Sequence, residues 1–598
     1  MRWFRRFTLA AVVAFLSPVV SGESPPEPNP AALDALVTTT MQDWKVPAAS
    51  VAIVRGDRVF LAKGYGYRDV EQKRPATEKT LFRLASVTKS FTAAGVAALV
   101  TQGKVEWNKP VRDYLPEFQL LEESLTARVT PVDLLAHRTG LPRHDALWYF
   151  NRDLSRDELI RRLRYLEPSK DLREAYQYNN LMFLAAGQLT GRVLSTSWEE
   201  AIRRLIFQPL SMTASTFTVE AMEKSTDYAS PYGKDKHENV QRVPHYTGNN
   251  IAPAGQINSN AAEMARYVAM LLNGGSFGGR QVLSKADVQK MTTAQIVVSG
   301  PPDPRYPEFG DTAYGLGLVV ASYRGHRLVH HDGAIDGYRS NLALLPENGV
   351  GVVVLSNLGG VGFVSALTYD LFDRLLGLPP RDWSRRFLED ERKGKSAQDE
   401  AERKGYTARK TGTQLSHPLP DYAGHYQHPG YGAVRIEQSG DTLSVRYGSL
   451  SAGLCHFHYD TFEFVADPVS EEKSTLRFET DLAGDIASLS IPMEPLVPVI
   501  VFQRVADPQM RTREFLVPLV GAYELGALIV DVVLREDGVL QARTPTGQIF
   551  DLEPARGTTF RIKGRTGWSL EFKRDSKGAV PEAVLHQPGS SSVMKRKP

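Results

Sequence analysis

Ser86 and Lys89 stand three residues apart in Leu84-Ala85-Ser86-Val87-Thr88-Lys89-Ser90-Phe91, ahead of an apolar run at 92–100. The pattern predicts an extended segment that turns into a helix at Ser86, so that Lys89 shares a helix face with it. Free N–H groups and the positive dipole end at a helix start favour developing negative charge. A hydroxyl beside a lysine there is the minimum set for a serine nucleophile with a local base. The same spacing suits an N-cap serine beside a solvated lysine, and two further stretches weigh against that reading. Tyr178, in Tyr176-Gln177-Tyr178-Asn179-Asn180, precedes an apolar helix at 181–189. It can take the serine's proton if a nearby ammonium lowers its pKa. Asn180 can donate to a substrate amide carbonyl and accept from Lys89. Alone, this stretch equally suits a polar helix N-terminus with a packed tyrosine. His331-Asp332-Gly333-Ala334 ends a strand. Gly333 there lets a substrate backbone approach closely, and the N–H of Ala334 with that of Ser86 makes an oxyanion hole. A metal pair at His330-His331 is disfavoured, because adjacent strand residues face opposite ways.

These stretches need a scaffold that brings them together. Helical spacing over 31–44 is followed by alternation over 48–68 around Arg55-Gly56-Asp57, a β-hairpin. Helical segments continue towards residue 210, and 255–275 reads as a loop and helix. Strands are predicted at 314–320, 326–331, 337–345 and 349–357, with a closing helix at 363–376. This order is an α+β design, an antiparallel sheet flanked by helices. Residues 383–410 are dense in charge and read as a solvated helical linker. Beyond them, Gly424-His425-Tyr426 and Gly521-Ala522-Tyr523 lie 97 positions apart. Leu443 and Leu540, Phe462 and Phe560, and Phe478 with Gly484 and Phe572 with Gly578 follow at nearly the same offset. The repeat predicts two copies of a small all-β barrel of about 90 residues. The expected organisation is a signal peptide at 1–22, a catalytic domain at 30–380, a charged linker at 381–414, and barrels at 415–507 and 513–596.

Composition bounds the partners. With 598 residues, 42% hydrophobic and 23% charged, the chain is soluble globular protein of several domains. The net charge of +3 is matched by Arg2, Arg5 and Arg6 alone, so the remainder is balanced and offers no case for nucleic acid. Met1 to Gly22 has the basic start, short apolar run and small-residue end of a cleaved secretory signal. An exported protein, periplasmic or extracellular, is expected, with a membrane anchor only if that segment stays uncut. Cys455 is the single cysteine, which leaves no intrachain disulfide and no thiolate metal cluster. His425, His428, His456 and His458 read as barrel packing and polar rim rather than a metal set.

The set Ser86-x-x-Lys89, Tyr178-x-Asn180 and His331-x-Gly333 resembles the active-site triplet of the serine β-lactamase and penicillin-binding-protein superfamily. Its order and wide spacing are similar to the class C-like branch, which includes D-aminopeptidases, D-Ala-D-Ala carboxypeptidases and related esterases. Asp133-Leu134-Leu135-Ala136-His137-Arg138-Thr139-Gly140-Leu141-Pro142, Pro253-Ala254-Gly255 and Tyr314-Gly315-Leu316-Gly317 agree with it. The likeness covers residues 30–378. Past the linker, Tyr422-Ala423-Gly424-His425-Tyr426 and 454–462 look like the lipocalin-like barrel appended to some of these hydrolases. The resemblance implies an acyl-enzyme mechanism. Ser86 attacks a carbonyl, Tyr178 tuned by Lys89 moves its proton, Ser86 and Ala334 hold the oxyanion, and no metal or organic cofactor is needed. One departure bears on substrate. The third motif usually begins with a lysine that holds a substrate carboxylate; His331 is mostly neutral at pH 7, and Asp332 adds negative charge. The expectation shifts to a small peptide, amide or ester substrate, with a D-residue peptidase or an esterase ahead of a true β-lactamase. A catalytically silent peptide- or peptidoglycan-binding protein is the other class of reading, and oligomeric state stays open.

Overall fold

A computed structural model describes residues 28–298, 300, 303–407, 409–467, 472–482, 484–494 and 496–598; the expected signal at 1–22 lies outside them. Helix α1 (Pro30–Trp44) starts where Asn29 Oδ1 accepts the Ala31 N–H at 2.9 Å and ends at Lys45 in the left-handed region. The chain folds back as β1 (Ala48–Arg55) and β2 (Arg58–Asp69), turning at Gly56 with φ 59°. A helical half follows. Four of its helices matter for the site or cover the sheet: α2 (Thr88–Thr101), α3 (Asp145–Tyr149), α4 (Asn180–Val193) and α5 (Ala261–Leu272). The chain then returns to the sheet as β3 (Val319–Tyr323), β4 (His326–Ile335), β5 (Tyr338–Leu345) and β6 (Val350–Ser356) before α6 (Phe363–Leu375).

Late strands pair with early ones: the sheet runs Ile296–Val297, Ala313–Tyr314, β3, β4, β5, β6, β1, β2, Arg74–Pro75. Every pairing is antiparallel. Helices α1 and α6 cover one face over Trp44, Val51, Ile53, Phe363 and Phe372. The other face meets α5 and, through it, the helical half. The alternation expected over 48–68 does not hold in β1, where burial on both faces goes with a nearly continuous apolar run.

The strand expected over 314–320 is broken. The Gly315 N–H turns back to Leu318 O at 2.7 Å, and the Gly317 N–H reaches Leu135 O at 3.0 Å. Gly317 takes φ 70°, and a Cβ on it would lie 2.6 Å from Lys89 O. The glycines therefore serve a kink that packs the sheet edge on α2, rather than a strand.

The charged stretch is helix α7 (Trp383–Thr407). Two closed eight-stranded antiparallel barrels follow, spanning 424–505 and 521–596. The sequence repeat is a repeat of packing. The Tyr426 hydroxyl donates to Tyr422 O at 2.7 Å, and that of Tyr523 donates to Leu519 O at 2.9 Å. Phe462 meets Phe478 edge-on at 5.7 Å, as Phe560 meets Phe572 at 5.8 Å. Arg504 and Arg596 take the same place, each donating to two carbonyls just ahead of the barrel's first strand.

Candidate active site

Ser86 lies in a tight 3-10 turn, Ala85–Val87, and α2 begins at Thr88, two residues later than the sequence suggested. Ala85 holds φ 46°, a left-handed conformation costly for a residue with a Cβ, directly before the serine. Lys89 Nζ lies 3.1 Å from Ser86 Oγ and donates to Ala254 O at 2.8 Å. The Tyr178 hydroxyl lies 2.8 Å from the same Oγ. Two pieces of chain 92 positions apart thus converge on one hydroxyl, and a third, 165 positions from Lys89, holds the lysine.

The third motif packs against this turn. A Cβ on Gly333 would lie 2.2 Å from Leu84 O and 2.3 Å from Ser340 Oγ. The glycine is therefore needed to seat β4 on the nucleophile turn, a tighter demand than the substrate approach expected for it. The hairpin closing β4 onto β5 has two loop residues, so Ile335 and Tyr338 exchange backbone hydrogen bonds and Ala334 and Arg339 do not. The Ala334 N–H consequently points to the outer edge of β4. There β3 has already stopped, its last pair being Val319 with His330.

His331 is bonded at both ring nitrogens. Its Nδ1 meets Asp332 O at 2.6 Å, and a carbonyl only accepts, so Nδ1 carries the proton. Nε2 then accepts from the Tyr314 hydroxyl at 2.9 Å. Both ring nitrogens are occupied and burial holds the imidazole below its ordinary pKa, so His331 supports the site without offering it a charge. The Asp332 side chain, next along the strand, projects to the opposite face.

Burial, rather than either group acting on the other, dominates at both Tyr178 and Lys89. Burial pushes the phenol's pKa up, and burial likewise drives the Lys89 ammonium well below its usual value, partly offset by the Asp145 carboxylate. The lysine, rather than the tyrosine, is the group shifted toward its proton-accepting form. The bond expected between Lys89 and Asn180 is replaced. Lys89 is held by Ser86 and Ala254, while Asn180 Nδ2 donates to Asp145 Oδ1 at 2.8 Å.

Sequence reasoning assigned no role to His137, Arg143, Asp145 or Tyr314. His137 clamps the tyrosine from both sides along the chain. Its carbonyl accepts the Gln177 N–H at 2.7 Å, its Nδ1 accepts the Asn179 N–H at 3.0 Å, and its ring lies 4.4 Å from that of Tyr178. The Arg143 guanidinium sits 4.9 Å over the Tyr178 ring and pairs with Asp145. The stretches around His137, Ala254 and Tyr314 had been noted only for their likeness to relatives; each now has a contact that explains it.

A family model described as Beta-lactamase matches residues 33–373. The chain belongs to the beta-lactamase family. It is a serine hydrolase of that family with two barrels after the catalytic domain, and a second model, a domain of unknown function (DUF3471), matches 408–515. Among its beta-lactamase-family relatives is unguisins hydrolase ungD' of Aspergillus campestris (strain IBT 28561), 32% identical over 67% of this chain and 76% of that protein. Unguisins hydrolase ungD of Aspergillus violaceofuscus (strain CBS 115571) is 29% identical over 70% and 77%. Protein flp of Staphylococcus aureus (strain COL) is 26% identical over 54% and 62%. The octameric penicillin-binding protein homologue from Pyrococcus abyssi shares the fold at a TM-score of 0.53 and 24% identity, over 79% of this chain and 99% of that one.

Proposed function

We propose that the protein is an exported serine hydrolase of the class C-like branch that cleaves amide or ester bonds through an acyl-enzyme on Ser86. The supporting observation is that Ser86 Oγ is in hydrogen-bond reach of both Lys89 Nζ and the Tyr178 hydroxyl. Lys89, as the neutral amine, takes the hydroxyl proton while Oγ attacks the substrate carbonyl. The N–H groups of Ser86 and Ala334 stabilise the oxyanion, and Asn180 orients the substrate amide. Tyr178 donates its phenolic proton to the departing amine or alcohol and is reprotonated from Lys89. Water then attacks the ester carbonyl by the same route, and the acid leaves as Ser86 regains its proton.

Substrate preference follows from charge. A neutral His331 with both ring nitrogens bonded holds a substrate carboxylate poorly, which favours a D-residue peptidase, an amidase or an esterase over a true β-lactamase. The relatives named as unguisins hydrolases favour a hydrolytic role over a silent binding one. A fluorophosphonate or fluorescent penicillin should label Ser86, and Ser86→Ala should lose both label and p-nitrophenyl acetate turnover. Equal labelling of the two proteins would end the proposal. N-terminal sequencing of secreted protein should find 1–22 removed.

A further inference from the structure

The first barrel grips α3 at three points. The Tyr431 hydroxyl meets His144 Nδ1 at 2.9 Å in a buried contact, just ahead of the helix. Glu494 Oε1 accepts the Ala146 N–H at 2.9 Å in its first turn. The Ser449 N–H donates to Phe150 O at 2.8 Å past its end, where Tyr447 meets the Phe150 ring. A Cβ on Gly448 would lie 2.3 Å from that same carbonyl, so the barrel loop sits against the backbone itself.

The other side of α3 belongs to the catalytic cleft. Asp145 holds Asn180 and Arg143, and Arg143 covers the Tyr178 ring. At the far end the Tyr149 hydroxyl donates to Asp336 Oδ2 at 3.0 Å, and the Tyr149 ring stacks on Tyr246 at 5.2 Å. Asp336 is at the tip of the β4–β5 hairpin, two residues past Ala334. The Tyr149–Asp336 bond therefore joins the helical wall of the cleft to its sheet wall. A helix of five residues has little stability of its own; the barrel fixes it from one side, while Asn180, Asp336 and Asn250, whose Nδ2 donates to Trp148 O at 3.1 Å, hold it from within the catalytic domain.

We infer that the first barrel is the specificity element of this hydrolase: Tyr431 and Glu494 position α3, whose Tyr149–Asp336 bridge closes one end of the cleft and selects substrates short enough to stop there. This rests on the acyl-enzyme reading of Ser86. It makes Glu494 and Tyr431 positioning residues, acting through α3 without touching the reacting atoms.

The test compares kcat/KM for a short and an extended peptide amide on the full chain. Glu494→Ala and Tyr149→Phe should each lower the short-to-long preference about 10-fold, mainly through KM, the size expected when a hydrogen bond to a carboxyl group is lost, and Tyr431→Phe, which loses a bond to an imidazole that burial keeps neutral, by about 3-fold. Glu494→Gln keeps an acceptor for the Ala146 N–H and should recover most of the preference. Arg556→Ala, which touches only the contact between the two barrels, should leave it unchanged. Hydrogen exchange over 143–150 and 178–180 should quicken in Glu494→Ala and not in Arg556→Ala. An unchanged preference in Glu494→Ala and Tyr149→Phe, or an equal fall for both substrates, overturns the inference, and so does unchanged exchange. A wild-type protein that never labels at Ser86 overturns the hydrolase reading instead, while the exchange comparison still judges the coupling.

Discussion

Burial decides which group beside Ser86 can take its proton. A lysine in water is an ammonium at neutral pH; with its head enclosed and hydrogen-bonded to Ser86 Oγ and a carbonyl, the charged form is penalised by burial. Tyr178 is neutral for the same reason, since burial disfavours phenolate. Each pKa unit is worth about 1.4 kcal/mol, so two opposed shifts readily exchange the base and acid roles that residue type alone suggested. The sign for activity follows. Below the lowered Lys89 value the ammonium cannot accept, and kcat/KM should rise as pH climbs through that value. Tyr178→Phe should reduce kcat by about 10²- to 10⁴-fold yet keep this acidic limb. A pH profile of acylation by p-nitrophenyl acetate checks it; a limb that vanishes in Tyr178→Phe would return the base role to the phenol. Ser86 and Lys89 were legible as a pair from their three-residue spacing, and Tyr178 joined them only through the resemblance of the three stretches, in that order, to a known family. The neutrality of His331 was legible from its residue type, but the bonds to Tyr314 and to a backbone carbonyl that occupy both ring nitrogens were not, since no local pattern announces them.

Strands and turns set the geometry in which those groups work. β4 presents the Ala334 N–H on an open edge because β3 pairs no further than Val319, and it lies close to Ser86 because Gly333 has no Cβ. Gly333→Ala should therefore separate the hairpin from the nucleophile turn. An atom placed 2.2 Å from Leu84 O has to move by about 1 Å, and misplacement on that scale in a positioned site costs about 10²-fold. The expected result is kcat lowered by that amount, with the far-ultraviolet spectrum and barrels unaffected; turnover within twofold of wild type would show that the hairpin is held elsewhere. The strands and the antiparallel α+β class were legible from alternation and glycine turns, whereas the order that sets β6 beside β1 was not. Where the reading failed, at 314–320, the run was apolar enough for a strand, and the glycines that bend it answer to Lys89 and Leu135, remote in sequence. The segment 144–150 was legible only as part of a run of helical stretches, because some of what holds it is a barrel 287 and 348 positions away at two of the contacts.

At the scale of the molecule the two barrels look alike in sequence and differ in attachment. Their shared tyrosine, phenylalanine pair and arginine were enough to announce the repeat, since each copy needs the same interior. Attachment is written in surfaces, which the repeat does not describe. Tyr426, Tyr431, Tyr447 and Phe502 of the first barrel join one continuous apolar core with Leu147, Leu163 and Leu166 of the catalytic domain. The second barrel closes its own core around Tyr523, Phe560 and Phe572. A contact that ties it to the first is the Arg556–Asp421 pair, whose side chains are 49% and 27% exposed. An ion pair that open is worth about 1 kcal/mol or less, far below what burial of several aromatic side chains contributes. Removing 513–598 should therefore leave kcat/KM within about twofold and delete one separate calorimetric transition, whereas removing 415–598 should strip part of the catalytic core, lower its unfolding temperature and expose apolar surface that binds ANS. If the shorter truncation instead drags the catalytic transition down with it, the second barrel is part of the same cooperative unit and the division into a fused and a tethered barrel is wrong.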